Sequence, residues 1–505
     1  MTNTIVSCLE KGLSKEVAIG APGRSSLTFQ ELRNHIKITA DALNSRGIGR
    51  NDRVAIVLPN GPEMASAFLA VGACATTAPL NPAYRADEYD FYLSDLGAKA
   101  LIVEKNSSSP AIEVAKSRNI NVIEIAWTET DPAGSFTLIG EQAGDCIHGG
   151  MAEPEDIALV LHTSGTTSRP KIVPLTHANI TASARHIGAI LSLSSSDRCM
   201  NIMPLFHIHG LIAAVLSSVA AGGSVFCCPS FNALRVFSWF DEATPNWYTA
   251  VPTMHQAILS RAMRNAEIMA KISLRFIRSS SSSLPPPIML ELEETFGAPV
   301  IESYGMTEAA HQMTSNQLPP GQRKPGYVGV AAGPQVEIMG EDGQILPKGE
   351  VGEIVIRGSN VTSGYENNPT ANKDNFREGW FCTGDQGLLD PDGFLKITGR
   401  LKEIINRGGE KIAPLEVDNV IQAHSAVAQV VTFAMPHSKL GEEVAAAIVL
   451  VEGANASERE IKDFAAMKLA DFKVPRQIIF VDEIPKGATG KMQRIGLAEK
   501  LGLNK

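Results

Sequence analysis

The chain predicts an α/β fold in two unequal parts: a large N-terminal domain of layered α/β subdomains and a small C-terminal α/β domain. Three observations carry this. Its 505 residues exceed the length at which a single hydrophobic core keeps growing. Short apolar runs alternate with helical stripes, the pattern of a parallel sheet covered by helices. The last stretch, about a hundred residues, carries its own helix and strands and has a size that folds alone.

In order, Asp41, Ala42 and Leu43 belong to a helix ending near Gly47, Val54 to Leu58 is strand-like, and the PNGPE run at 59–63 opens another helix. Pro79 to Ala86 is a turn-rich connector, and Ala98 to Val103 and Asn121 to Ile125 are further short strands. An acidic turn (Glu153, Glu155, Asp156) precedes a buried strand, Ile157 to Leu161. Beyond Lys171 the run IVPLTH is again strand-like, and a helix begins near Thr176 with Ile180, Ile187, Ile190 and Leu191 on one stripe. Leu211 to Cys228 is uncharged and nearly long enough to span a membrane. Ser217, Ser218, Gly222, Gly223 and Ser224 interrupt it, so a buried helix (211–220) and a buried strand (224–228) are expected instead. Trp247 to Thr253 and Leu274 to Ile277 read as a strand, a turn and another strand, followed by a helix from Pro287 to Phe296. In the small domain a helix starts around Pro414 to Val417, with strands at Val427 to Ala434 and Glu443 to Val451.

A net charge of −9 argues against a general nucleic-acid or anionic-membrane binder, so any anionic ligand needs a local site. Seven cysteines with no C-x-x-C pair read as reduced thiols of a cytoplasmic protein. The start lacks a secretory signal pattern, and LGLNK at the end is not a peroxisomal address.

The chemistry centres on Leu161 to Lys171, LHTSGTTSRPK. Thr163, Ser164, Gly165, Thr166, Thr167 and Ser168 are small and leave backbone N–H groups open to phosphate oxygens. Lys171 adds a point charge worth roughly 4 kcal/mol at about 4 Å and an effective dielectric near 20. The alternative is an ordinary Ser/Thr-rich surface loop; the buried strand before it and the Pro-Lys after it favour phosphate. This is no Walker loop, because Pro170 precedes the lysine and Ile172 follows it. The H-x-H pair of PLFHIHG (204–210) has no further metal ligands nearby and reads as pocket-lining or structural histidine. The serines 279–283 are either a flexible linker or a loop at the end of a strand, where ligands of open α/β sheets bind. Tyr304-Gly305-Met306-Thr307-Glu308 offers an aromatic face, a hydroxyl and a carboxylate, types that can meet an adenine, a phosphate or carboxylate, and Mg²⁺, though a motif this short also occurs by chance. Asp385, after a glycine turn, is either a ribose-binding carboxylate or a plain turn aspartate.

TSGTTSRPK resembles the phosphate loop of the adenylate-forming superfamily of acyl-CoA synthetases, firefly-type luciferases and nonribosomal adenylation domains. ESYGMTE at 302–308, GWFCTGD at 379–385, GRLKEIINRGGEKI at 399–412 and PKGATGKMQR at 485–494 follow in the superfamily's order. The resemblance implies an N-terminal adenylation domain (1–399), a hinge (400–403) and a mobile C-terminal domain (404–505). It implies an ATP site of Thr163, Ser164, Gly165, Thr166, Thr167, Lys171, Glu302, Ser303, Tyr304, Thr307, Asp385, Arg400 and Lys491. Alongside that set it implies that Glu308 holds Mg²⁺, that Thr307, Glu308 and His207 assist catalysis, that Lys491 is the catalytic lysine and that Lys402 is the hinge. Gly408, Gly409, Lys411 and Lys473 would meet coenzyme A, and His207 would gate the acyl pocket.

The implied activity is an AMP-forming acid–CoA ligase acting on ATP, a carboxylic acid and CoA, soluble and monomeric or weakly homo-oligomeric. Within the superfamily the acyl-side segments look most like oxalate–CoA ligases, with His207, Ser281 and His311 as lining and His311 as the cation. The alternatives are a coumarate or medium-chain fatty acid ligase and a luciferase-like oxidoreductase. Two departures stand out: Ile172 replaces the glycine usual after Pro-Lys, and Gln386 an apolar residue after the aspartate.

Overall fold

The computed structural model describes residues 3–140, 144, 146–163, 170–486 and 492–503. Two large sheets dominate the first part. A seven-stranded sheet runs, in spatial order, Thr137–Ile139, Asn121–Ala126, Ala100–Glu104, Arg53–Val57, Thr76–Pro79, Ile157–His162 and Ile172–Thr176. Its neighbours are parallel except at the two edges, where Thr137–Ile139 and Ile172–Thr176 turn back antiparallel. A nine-stranded sheet holds Arg198–Asn201, Ser224–Cys227, Trp247–Ala250, Phe276–Ser279 and Val300–Met306 among its strands.

Helix Pro62–Gly72 is buried on every face, which its apolar sequence (PEMASAFLAVG) demands of a helix with no solvent side. It shares one core with both sheets: Ile56 and Leu159 from the first, Cys199, Trp247 and Phe276 from the second. Helix His177–Ile190 starts where Thr176 caps it, accepting from the Asn179 N–H while Asn179 reaches back to the Thr176 N–H.

The uncharged 211–228 segment is buried, as expected of core. Its helix is wider than foreseen: His209–Leu216 winds as a π-helix before an α-helical turn, Ser217–Ala220. Between Trp247–Ala250 and Phe276–Ser279 the chain does not merely turn. Pro252 starts an eleven-residue helix, Pro252–Ala262, and the two strands pair in parallel, which requires such a crossover.

A third sheet, antiparallel, contains Gln335–Met339, Gly352–Arg357, Trp380–Leu389 and Leu395–Arg400. The fourth lies beyond residue 404, where Val427–His437 and Gly441–Leu450 form a long hairpin flanked by helices Pro414–Ile421 and Glu458–Ala466. It has apolar clusters of its own, one around Ile405, Val417, Val444 and Ile461 and another around Phe433, Ile484 and Leu497. Among the described residues no helix is long and apolar enough to cross a membrane.

This arrangement gathers loops. Strands Arg198–Asn201, Trp247–Ala250, Phe276–Ser279 and Val300–Met306 run parallel and in register, so their carboxyl ends open along one edge. That edge is where an open α/β sheet binds its ligands.

Candidate active site

Ser164, Gly165, Thr166, Thr167 and Lys491 lie outside the described residues. What frames the phosphate loop is described. Strands Ile157–His162 and Ile172–Thr176 are an antiparallel pair, with His162 opposite Ile172. Thr163 and Lys171 close the loop's base: the Thr163 N–H donates to the Lys171 carbonyl (3.0 Å) and the Lys171 N–H to the Thr163 hydroxyl (3.1 Å). The Ile172 departure has a packing reason, because its side chain is buried in the cluster containing Leu80, Leu101 and Val160. Gln386 accepts a hydrogen bond from the Thr398 hydroxyl of the neighbouring strand.

Glu308 sits in a 3₁₀ turn, Thr307–Ala309, at the end of Val300–Met306. Its carboxylate is buried and accepts from the Tyr365 hydroxyl at 2.7 Å. Lys171 lies over the same tyrosine's ring, its Nζ 4.3 Å from the centroid. Burial pushes the Glu308 carboxyl up, and the Lys171 charge opposes that. Burial and the repulsion of Lys402 pull the Lys171 ammonium down, and Glu308 opposes that in turn. A bound polyanion would relieve that repulsion. Nothing in the sequence near 365 marked Tyr365 as their organiser.

Asp385 lies directly opposite Arg400 in antiparallel strands, and the Arg400 Nε–H donates to it at 2.8 Å. The Tyr304 hydroxyl donates to its other oxygen at 2.5 Å. Tyr304, Asp385 and Arg400 are thus one unit. Gly305 is obligatory here: a Cβ would come 1.6 Å from the His311 carbonyl oxygen. The Ser303 hydroxyl donates to the Ser279 carbonyl, and the Thr307 side chain is half-exposed at the mouth.

Glu302 faces the serine segment. It is fully buried, its Oε1 accepts from the Leu284 N–H at 2.9 Å, and burial lifts its carboxyl from 4.5 to about 8. A carboxyl raised on folding contributes stability that is present below pH 4.5 and is lost as pH rises through about 8. The effect is on the order of 5 kcal/mol. Glu302→Gln keeps the acceptor without the proton, so urea midpoints measured at stepped pH are expected to fall less steeply across that window. An unchanged slope would mean that this carboxyl is not the source.

Of the residues expected to line the acyl pocket, the structure brings together Ser281 and His311, with His209 two residues beyond the histidine the sequence singled out. His209 Nδ1 is 2.9 Å from the Ser281 hydroxyl and Nε2 is 2.6 Å from the Thr249 hydroxyl. The His209 and His311 rings lie 5.1 Å apart. His207 is half-buried, and its Nδ1 accepts from the His209 N–H. Ser281 and His311 have φ of 72° and 90°, backbone strain held by the surroundings and common at ligand sites. The serine run is therefore not a free linker, since Ser279 and Ser280 are fully buried. Sequence reading missed Arg278. Its guanidinium is 1% exposed, with Nη1 3.5 Å from His209 Nε2 and Nη2 3.5 Å from His311 Nδ1 and 3.2 Å from the Gln312 amide oxygen. Burial pulls it down to about 9. Its signal was a basic residue inside an apolar strand run, LRFIR.

Beyond 400, Lys402 stands exposed in the turn Leu401–Glu403. Gly408 and Gly409 make the positive-φ turn between Ile405–Arg407 and Glu410–Ile412, and Lys411 is exposed beside them. Lys473 is paired at 2.7 Å with Glu416. Arg494 joins the last segment to the turn through Glu403 (3.1 Å) and to Asp418 (2.8 Å). Among the described residues no group of three or more His, Cys, Asp or Glu side chains could hold a metal. Mg²⁺ needs less: one carboxylate such as Glu308, plus phosphate oxygens and water.

The family described as AMP-binding enzyme matches residues 9–366, and the AMP-binding enzyme C-terminal domain matches 416–491. An oxalate–CoA ligase of Arabidopsis thaliana is 46% identical over 486 residues, covering 94% of each chain. One from Saccharomyces cerevisiae is 44% identical over 519 residues, covering 96% of this chain and 95% of its own. ATP-bound MatB from Rhodopseudomonas palustris superposes over 100% of both chains with a TM-score of 0.89 at 28% identity, against 0.79 for its apo form. With two family matches that span most of its length and relatives of this similarity, the chain belongs to the AMP-binding enzymes, as an ATP-dependent acid–CoA ligase that works through an acyl-adenylate.

Proposed function

We propose that the acid this ligase activates is oxalate, converted to oxalyl-CoA with release of AMP and pyrophosphate. The observation that carries this is the compact polar cluster of Ser281, His209, Thr249 and His311, where a coumarate or fatty-acid pocket would need apolar walls. The two oxalate–CoA ligase relatives support the same reading.

In it, residues 1–399 bind ATP and acid, residues 400–403 are the hinge with Lys402 at its centre, and 404–505 move. The loop from Thr163 to Lys171, with Thr307, grips the phosphates; Ser303 and Tyr304 flank the adenine; Asp385 and Arg400 take the ribose. Glu308 would hold Mg²⁺, whose charge offsets that of the triphosphate. Lys491 meets the carboxylate and α-phosphate during adenylation, which is electrostatic and proximity catalysis. After the hinge turns, Gly408, Gly409, Lys411 and Lys473 face the CoA arm. A cytoplasmic setting fits seven unpaired cysteines, six of them buried.

The test is ATP–pyrophosphate exchange over a panel of acids. Oxalate is expected to give the strongest signal, with cinnamates and medium-chain acids near background. Silence with oxalate alongside activity on an apolar acid rejects the reading, and acid-dependent oxygen uptake would favour the luciferase-like one.

A further inference from the structure

The proposed acyl site holds a buried positive charge that nothing assigned so far uses. Arg278 is fully buried, and among the described residues no carboxylate is a hydrogen-bond or ion-pair partner of it. Its side-chain partners are two imidazoles and an amide oxygen, from the π-helix His209–Leu216 and strand His311–Ser315. Replacing a buried charge by an apolar side chain of similar volume is often neutral or stabilising, so a lone buried guanidinium needs a reason.

The hydrogen bonds say which way the site faces. A guanidinium only donates, so His209 Nε2 must accept, from Arg278 and from the Thr249 hydroxyl. The His209 proton is then on Nδ1 and is given to the Ser281 oxygen. The Ser281 O–H is left to donate elsewhere. By the same rule His311 Nδ1 is the acceptor in its 3.5 Å contact with Arg278. Arg278 thus places a guanidinium beside the strained Ser281 and His311 backbones, next to the histidine expected from the sequence to be the cation.

We infer that Arg278 is the counter-ion for the second anionic group of the substrate, the one that is not adenylated, and that it sets the enzyme's preference for short doubly anionic acids over monocarboxylates. This rests on the acyl site proposed above but not on oxalate being the acid. A monocarboxylate would enter a site whose buried charge stays unpaired, and the mismatch is paid in specificity. A dianion brings the missing charge with it, and the Ser281 hydroxyl donates to the same carboxylate.

The experiment is Arg278→Met, an apolar replacement of comparable length, with Arg278→Lys beside it. ATP–pyrophosphate exchange is measured with oxalate, malonate, sulfoacetate, glyoxylate and acetate, and thermal midpoints are read without ligand. For Arg278→Met, kcat/KM for the preferred dianion is expected to fall at least about thirtyfold, the low end for truncating one partner of a buried charge pair. Activity on acetate or glyoxylate is expected to hold or rise, and the unliganded midpoint to hold or rise. Arg278→Lys is expected to recover part of the dianion activity. If Arg278→Met loses dianion and monocarboxylate activity equally and melts earlier, Arg278 only holds the fold together and the inference is overturned. It is overturned also if the wild type prefers a monocarboxylate. If the wild type ignores oxalate but takes malonate or sulfoacetate, and Arg278→Met loses that acid, oxalate is wrong and Arg278's role stands.

Discussion

Lys491→Ala is expected to slow ATP–pyrophosphate exchange by about 10²–10³-fold, the loss typical when one preorganised donor to a developing charge is removed. ATP affinity is expected to hold, because the groups proposed to grip the ground state are elsewhere. Lys171 and Glu308 meet at Tyr365, and Asp385 is bonded to Arg400 and Tyr304. An interaction made only as charge develops lowers kcat and kcat/KM together and leaves binding alone. The segment's far side is anchored in two directions. Met492 lines a narrow cleft with Thr253, Ser282 and Ser283, and Arg494 is bonded to Glu403 in the proposed hinge and to Asp418. The discriminating measurement is the second half-reaction: CoA added to preformed acyl-adenylate is expected to give thioester at close to the wild-type rate. Equal damage to both half-reactions, or a large rise in the ATP dissociation constant, would assign Lys491 to ATP binding or to folding instead.

The parts of this molecule that could be read in advance are those whose cause is local in sequence. A five-residue apolar run such as Ile157 to Leu161 has little choice but a buried strand, and Thr176 with Asn179 three residues on writes its own helix start. Asp385 and Arg400, each singled out from its own motif, stand opposite one another in neighbouring strands. What escaped is what the tertiary fold creates. The π-helical winding at His209–Leu216 puts His209, not His207, against Ser281, and no propensity separates a π-turn from an α-turn in a run that is apolar on every side. Tyr365 is 57 positions from Glu308, and only the packing of the third sheet against the first part brings the two together. Arg278 was hidden because its partners come from two segments distant in sequence, and the run of serines after it drew attention as a loop. The crossover helix Pro252–Ala262 was missed because Pro252 was taken as ending a strand, when proline is at home in the first turn of a helix.

Glu308→Gln is expected to act in opposite directions on stability and on turnover, and that opposition is its signature. The carboxyl is buried, and burial raises it against the pull of Lys171 and the Tyr365 hydroxyl. A raised carboxyl contributes stability that is present below its ordinary value of 4.5 and drains away as pH climbs through the folded-state value. The amide has no charge to bury, so the variant's unliganded thermal midpoint is expected to exceed that of the wild type at pH 8 and to match it more closely near pH 4.5. It also keeps an oxygen to accept from Tyr365, so the ring under Lys171 stays in place. What it removes is the anion that balances Lys171 and that would hold Mg²⁺ at the triphosphate, and adenylation is expected to fall by about 10²–10³-fold. Raising the Mg²⁺ concentration is expected to restore part of that activity if the carboxylate's work is to bind the ion. A variant that is both slower and less stable at pH 8 would make Glu308 a structural acid, and no rescue by Mg²⁺ would move its role from holding the ion to orienting Lys171. Sites that bury charge for catalysis surrender stability to do so, and here the carboxylate responsible is a single residue whose pH dependence tells the two effects apart.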